Sequence, residues 1–153
     1  MDTPPGLAAL EAAVGTETGP TDWFTIDQAR IDAFADATED HQWIHVDPER
    51  AASGPFGTTV AHGFLTLSLV PYLAGQLRRV EGVRMGVNYG LDRVRFPAPV
   101  PSGARLRARS TLISCARVPG APDAAQLVNR VTIEVEGNAK PGCVADAVTR
   151  LYF

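Results

Sequence analysis

All three histidines of this 153-residue chain, His41, His45 and His62, fall between Thr38 and Leu69, in company with Asp40 and Asp47. Carboxylates and imidazoles are the side chains best suited to moving protons near neutral pH. Asp40 and His45 stand five positions apart across His41-Gln42-Trp43-Ile44, and Asp47-Pro48 follows. Asp before Pro is a strong helix start, because the carboxylate caps free N–H groups and Pro at the first helical position has none to satisfy. Glu49 to Ala52 therefore reads as a short helix. Asp40 to Val46 reads as a loop or extended connection, from which a carboxylate and an imidazole can converge on one small molecule.

Downstream, Ser53-Gly54-Pro55-Phe56-Gly57 is turn chemistry, and His62-Gly63 opens the apolar run Phe64 to Val70. Free N–H groups at a helix start carry partial positive charge and can bind a developing oxyanion. Gly63 has no side chain to block that approach. An acid/base pair and a backbone oxyanion site thus share one short stretch. Asp47 reads as a cap, His41 as exposed or orienting, and His62 as the residue that fixes the turn before Gly63. His41 and His45 are four apart, a metal-ligand spacing on a helix, but no Glu takes the metalloprotease position. Neither a metal nor a cofactor is expected.

The elements that must hold these groups are legible from periodicity. Leu7 to Val14 allows one or two helical turns within a Pro-, Gly- and Ala-rich start, residues 1–20, whose ends are expected to be mobile. Trp23-Phe24 suits a short strand. Thr25 and Gln28 fit a capping box, opening a helix that presents Ile31, Phe34 and Ala35 on one face and ends near Thr38. Gly63 to about Leu77 is apolar on every side, the mark of a buried helix. Pro71 predicts a kink near Leu67 or a new helical turn. Beyond it, Val83 to Phe96, the alternation of Arg105, Arg107 and Arg109 with Leu106 and Ala108, Leu127 to Glu136, and Val144 to Phe153 read as strands.

With the pattern laid out, a resemblance is evident. Asp40-x4-His45-x-Asp47, Phe56-Gly57 and Ala61-His62-Gly63-Phe64-Leu65 resemble the hydratase motif of the MaoC-like dehydratases, the (R)-specific enoyl-CoA hydratase group of the hotdog superfamily. Asn88-Tyr89-Gly90 and Arg93-Val94-Arg95-Phe96-Pro97 look like its nodulation-protein-N-like branch. The resemblance implies an α+β chain with a single hotdog fold at 21–153: an antiparallel sheet wrapped around a long central helix, with a helical overhang carrying the motif. It implies Asp40, His45 and Gly63 as catalytic, and Gln42, Trp43, Phe56, His62 and Phe64 against substrate. The implied reaction is reversible syn addition of water to a trans-2-enoyl-CoA, giving an (R)-3-hydroxyacyl-CoA. Where many members carry Gly before the Asp and Asn-Pro after it, this chain has Glu39 and Gln42-Trp43. A one-unit hydratase of this kind is expected to pair with itself, joining edge strands.

Two competing readings follow from the same fold. A hotdog thioesterase would need a carboxylate in the central helix, and Phe64 to Leu77 contains none. A non-catalytic acyl-CoA-binding subunit would have no use for both Asp40 and His45. A net charge of −3 gives no sign of a nucleic-acid partner, and no apolar run reaches the ~20 residues that span a bilayer. Cys115 and Cys143 make neither a metal pair nor a disulfide framework. With no secretory signal at the start of the sequence, a cytoplasmic domain is expected.

Overall fold

The structure, a computed structural model, describes residues 4–153. In chain order the elements are α1 (Pro5–Ala12), β1 (Glu17–Thr18), β2 (Phe24–Thr25), α2 (Gln28–Thr38), α3 (Trp43–Val46), α4 (Pro48–Ala52), α5 (Gly63–Ser68), α6 (Val70–Ala74), β3 (Met85–Arg95), β4 (Arg105–Val118), β5 (Ala121–Val135) and β6 (Cys143–Tyr152). The strands form one antiparallel sheet in the order β1-β4-β5-β6-β3, with β2 also on β4. Its inner face and the helices enclose the core, as expected of a hotdog fold.

Alternation decides which face is which. Leu106, Ala108, Ser110 and Leu112 of β4 and Val131, Ile133 and Val135 of β5 are buried toward the helices. The intervening Arg107 and Arg109 point outward and share Glu134, while Arg105 pairs with Glu136. Burial alone would raise the Glu134 carboxyl, and the two arginines outweigh it and hold it lower.

The apolar run after Gly63 is two helices rather than one. α5 ends at Ser68, and α6 restarts at Val70 with Pro71 in its first turn, because Pro has no N–H to continue the ladder. Burial is also one-sided. Leu65, Leu69, Val70 and Leu73 face the sheet, while Phe64 and Tyr72 are 69% and 56% exposed. No helix among the described residues is long and apolar enough to cross a membrane.

Two local expectations are corrected. Thr25 does not cap α2: Asp27 does, accepting from Arg30 N–H at 2.9 Å. The connection after Asp40 is not all extended, since Trp43–Val46 closes a helical turn. From α1 onward the chain packs on the fold. Leu7 and Leu10 are buried, β1 pairs with β4, and a Cβ on Gly6 would lie 2.0 Å from the Glu81 carbonyl oxygen.

The last residue before the acid/base stretch carries the one positive φ found on a non-glycine residue among those described, Glu39 at +62°. It ends α2 in the left-handed conformation that costs an L side chain about 1–2 kcal/mol and glycine almost nothing. Glu39→Gly, after the extra unfolded-chain entropy of glycine, should gain about 0.5–1 kcal/mol. Thermal unfolding should show Tm rising by about 2 °C. A fall in Tm would mean that the Glu39 carboxylate supplies more, beside His41, than its backbone loses.

Candidate active site

The turn of α3 is what carries His45 inward. Its amide donates to Gln42 O at 2.9 Å, Asp47 N–H donates to Trp43 O at 3.1 Å, and Asp47 then caps α4 through Arg50 N–H at 3.0 Å. The stop and restart on either side of Asp47 turn the His45 ring into the protein, where it is 7% exposed. Its Nδ1 lies 2.6 Å from the Val60 carbonyl. A carbonyl can only accept, so Nδ1 carries the proton and Nε2 of the neutral ring is left with a lone pair. Burial, the largest influence, pushes His45 below the ordinary imidazole value; His62 adds to that, while the Val60 bond and Asp40 oppose it.

His62 closes the arrangement from the other side. Its ring stacks on His45 with centroids 3.8 Å apart and 23° between planes, and Phe34 of α2 packs against it at 5.0 Å. His62 Nε2 donates to the main-chain carbonyl of Asp40 at 2.9 Å. Its Nδ1 is sealed from solvent with no hydrogen-bond partner among the described residues. One ring therefore holds the backbone of Asp40 and supports the face of His45. Ligand atoms of Asp40, His45 and His62 all lie within 4.8 Å of one another, with the Asp40 side chain facing solvent and both rings buried.

That donor set also bears on metal binding. His45 Nε2 and an Asp40 oxygen could both reach a soft divalent ion, but His62 has one nitrogen engaged and the other enclosed. A three-ligand site would need His62 Nε2 to release the Asp40 carbonyl or its enclosed Nδ1 to reach the ion. The arrangement as built is suited to a water molecule held between a carboxylate and a neutral imidazole.

Gly63 opens α5 directly after His62. The first N–H groups of a helix have no partner inside it, and the His62 side chain does not cap them. A Cβ at Gly63 would fall 2.9 Å from the Phe96 ring, so any larger residue at this turn would have to displace that ring.

The other sequence candidates are placed unevenly. Trp43 packs against α4, with Arg50 stacked over its ring at 4.4 Å and no room for a Cβ on Gly54 beside it. Gln42 is exposed at the start of α3, and Phe56 is exposed in the turn. Phe64 points outward, edge-on to Phe96 at 6.2 Å. His41 is exposed on Asp36 at 2.9 Å.

Two positioning residues were not foreseen. Gln28 donates to the His45 carbonyl at 2.7 Å and to Asp32 at 2.8 Å, and accepts from Thr59 Oγ1. Thr59 precedes Val60, whose carbonyl orients His45. Gln28 was read as half of a capping box, and a residue 17 positions from His45 gives no local signal of contact with it.

A family model described as "MaoC like domain" matches residues 9–132. The chain is 54% identical over 150 residues to 3-hydroxyacyl-thioester dehydratase Z of Mycobacterium tuberculosis, covering 98% of each chain. It is 47% identical over 151 residues to Nodulation protein N of Rhizobium leguminosarum bv. viciae, covering 96% of this chain and 91% of that one. Among solved structures it is similar to an (R)-hydratase from A. caviae involved in PHA biosynthesis, at TM-score 0.68 and 26% identity, over 89% of this chain and 94% of that one.

The buried, neutral state of His45 sets a pH dependence. Because folding lowers its proton affinity, the unfolded chain takes up the proton first on acidification. The stability tied to neutral His45 is fully present above about pH 6.5 and is lost as pH falls through its lower folded value. Denaturant melts of wild type and His45→Gln should diverge less as pH is lowered through this range. Parallel curves across it would show that His45 does not titrate on unfolding.

Proposed function

The chain belongs to the MaoC-like dehydratase family, and from that membership we propose that it is a 3-hydroxyacyl-thioester hydratase/dehydratase acting as an (R)-specific enoyl-CoA hydratase. The observation that carries this reading is the Asp40–His45–His62 cluster beside the first turn of α5. A trans-2-enoyl-CoA carbonyl oxygen accepts from Gly63 N–H, so charge that develops as water attacks Cβ meets a preorganised donor. Such a donor is worth about 3 kcal/mol in comparable sites. Water lies between the Asp40 carboxylate and His45 Nε2. One proton leaves it for the pair as its oxygen bonds to Cβ, and the pair returns one proton to Cα on the same face. Syn addition with a single hand follows from having acid and base on one side of the double bond. In the reverse direction the same pair removes the Cα proton and releases water.

The free edge of β3 supports a homodimer. Met85, Val87, Tyr89 and Leu91 are 39–57% exposed along it, with Phe64 and Phe96 at its far end. An eleven-residue edge strand left unpaired with these apolar side chains exposed invites association, and pairing with a second copy across a two-fold axis buries it. Light scattering should give twice the chain mass for the wild type and a smaller species for Leu91→Arg. A monomeric wild type at micromolar concentration would remove the dimer from the proposal.

The catalytic reading is tested by hydration of crotonyl-CoA, followed as loss of the conjugated thioester absorbance. Wild type should turn over, and Asp40→Asn should lose at least about a hundredfold in kcat/KM, the usual range for removing a general acid or base. Turnover that survives the change, or release of free CoA thiol from saturated acyl-CoA in place of hydration, overturns it.

A further inference from the structure

The α5–α6 unit has a second end, remote from Gly63, and a cavity of about 650 Å3 lies there between α6, α1, residues 75–83 and the inner face of the sheet. Its walls combine apolar Leu10, Val70, Leu77 and Val80 with Arg78 and Arg79. Its floor is different. Ser110 of β4, Asn129 of β5, Thr149 of β6 and Asn88 of β3 all line it, on the same sheet face that elsewhere presents Val131, Ile133 and Ala145 to the core.

The register makes these four one feature. Ser110 is opposite Val131, two residues along β5 from Asn129. Thr149 is opposite both Leu127, two residues the other way, and Asn88. A polar stripe thus crosses four adjacent strands diagonally. None of the four side chains has a hydrogen-bond partner among the described residues. Polar groups on an inner face are normally paired, and each asparagine amide offers both donors and an acceptor. Asn88 is exposed and Asn129 and Thr149 are half-buried, so solvent reaches the stripe and its hydrogen bonds are open to whatever displaces that water from the cavity.

From Gly63 to Val70 the chain climbs about 10 Å at the helical rise of ~1.5 Å per residue. A four-carbon acyl group with its carbonyl at Gly63 stops short of Val70, whereas a long one has the length to span that distance. Resting on the hydratase reading above, we propose that this cavity receives the distal part of the acyl group, and that Asn88, Ser110, Asn129 and Thr149 select acyl groups carrying a hydroxyl or oxo oxygen there over plain alkyl chains. A hydrocarbon tail displaces water from the amides without replacing its hydrogen bonds, and a site built to hydrogen-bond a substrate oxygen discriminates against the analogue that lacks it.

The test compares trans-2-dodecenoyl-CoA with its ω-hydroxy analogue as substrates of wild type and Asn129→Leu, a change of similar volume. Wild type should favour the hydroxylated substrate by about tenfold or more in kcat/KM, and the variant should lose or invert that ratio. Taking the ratio on one preparation cancels any loss of folded protein. Equal rates in wild type, or an unchanged ratio in the variant, overturn the proposal. Crotonyl-CoA separates the two levels of inference. If wild type turns over none of the three, the hydratase reading fails, and the cavity is judged by displacement of a fluorescent fatty acid. Tighter binding of ω-hydroxydodecanoate than dodecanoate, abolished in Asn129→Leu, supports it; equal binding overturns it.

Discussion

The hydrogen bond from His62 to the main-chain carbonyl of Asp40 is the constraint on which the site depends. Asp40 follows the end of a helix and its side chain faces solvent, so nothing on its own segment fixes it. His62 comes from the turn that starts α5, 22 positions later, and reaches back to that carbonyl while its ring lies flat on His45. The stack ties α3 to the same point. Three segments that share no regular hydrogen-bond ladder are thereby registered to within the span of one water molecule. Gln28 performs a matching task from behind, joining α2 to the His45 carbonyl and to Thr59.

Positional accuracy of this kind has a cost in an unsatisfied atom. Buried polar groups are paired in the great majority of cases, and His62 Nδ1 is not. The ring has two nitrogens and only one can serve the Asp40 carbonyl while the ring stays parallel to His45. Turning it to satisfy Nδ1 would break the stack or release Asp40. Glu39, in a left-handed conformation directly before Asp40, is a second local departure within the same few residues. Such departures persist where surrounding structure over-determines them, and they gather at functional sites.

Much of the fold could be read from the chain because it rests on local chemistry. Strand period, the Asp47-Pro48 start and the break that Pro71 enforces are properties of neighbouring residues. Asp40, His45 and His62 were legible because they lie close in sequence and fit a specific motif. What escaped was non-local. Gln28 could not be distinguished from a capping residue without knowing that α2 passes behind His45. The resemblance sets Trp43 against substrate, and the packing of its ring on Arg50 and Gly54 is a contact that only the fold reveals. The run after Gly63 looked buried all round, because periodicity cannot reveal that the sheet covers only one side of it.

That one-sidedness connects the two ends of the molecule. The helix pair crosses the inner face obliquely, with α5 against β6 and α6 against β4 and β5, so it cannot cover the inner side of β3 along its whole length. At the Gly63 end the gap is closed by Phe96 pressed onto a glycine. At the other end nothing equivalent is available, because Gly86 stands where β3 would need a large side chain. The result is a sheet whose far floor is polar and open while Phe96 closes its near end. Under the proposed function the thioester reacts at the near end, beside Asp40 and His45. The open end is free to differ in polarity without disturbing that chemistry, which makes it the natural place for selectivity to reside.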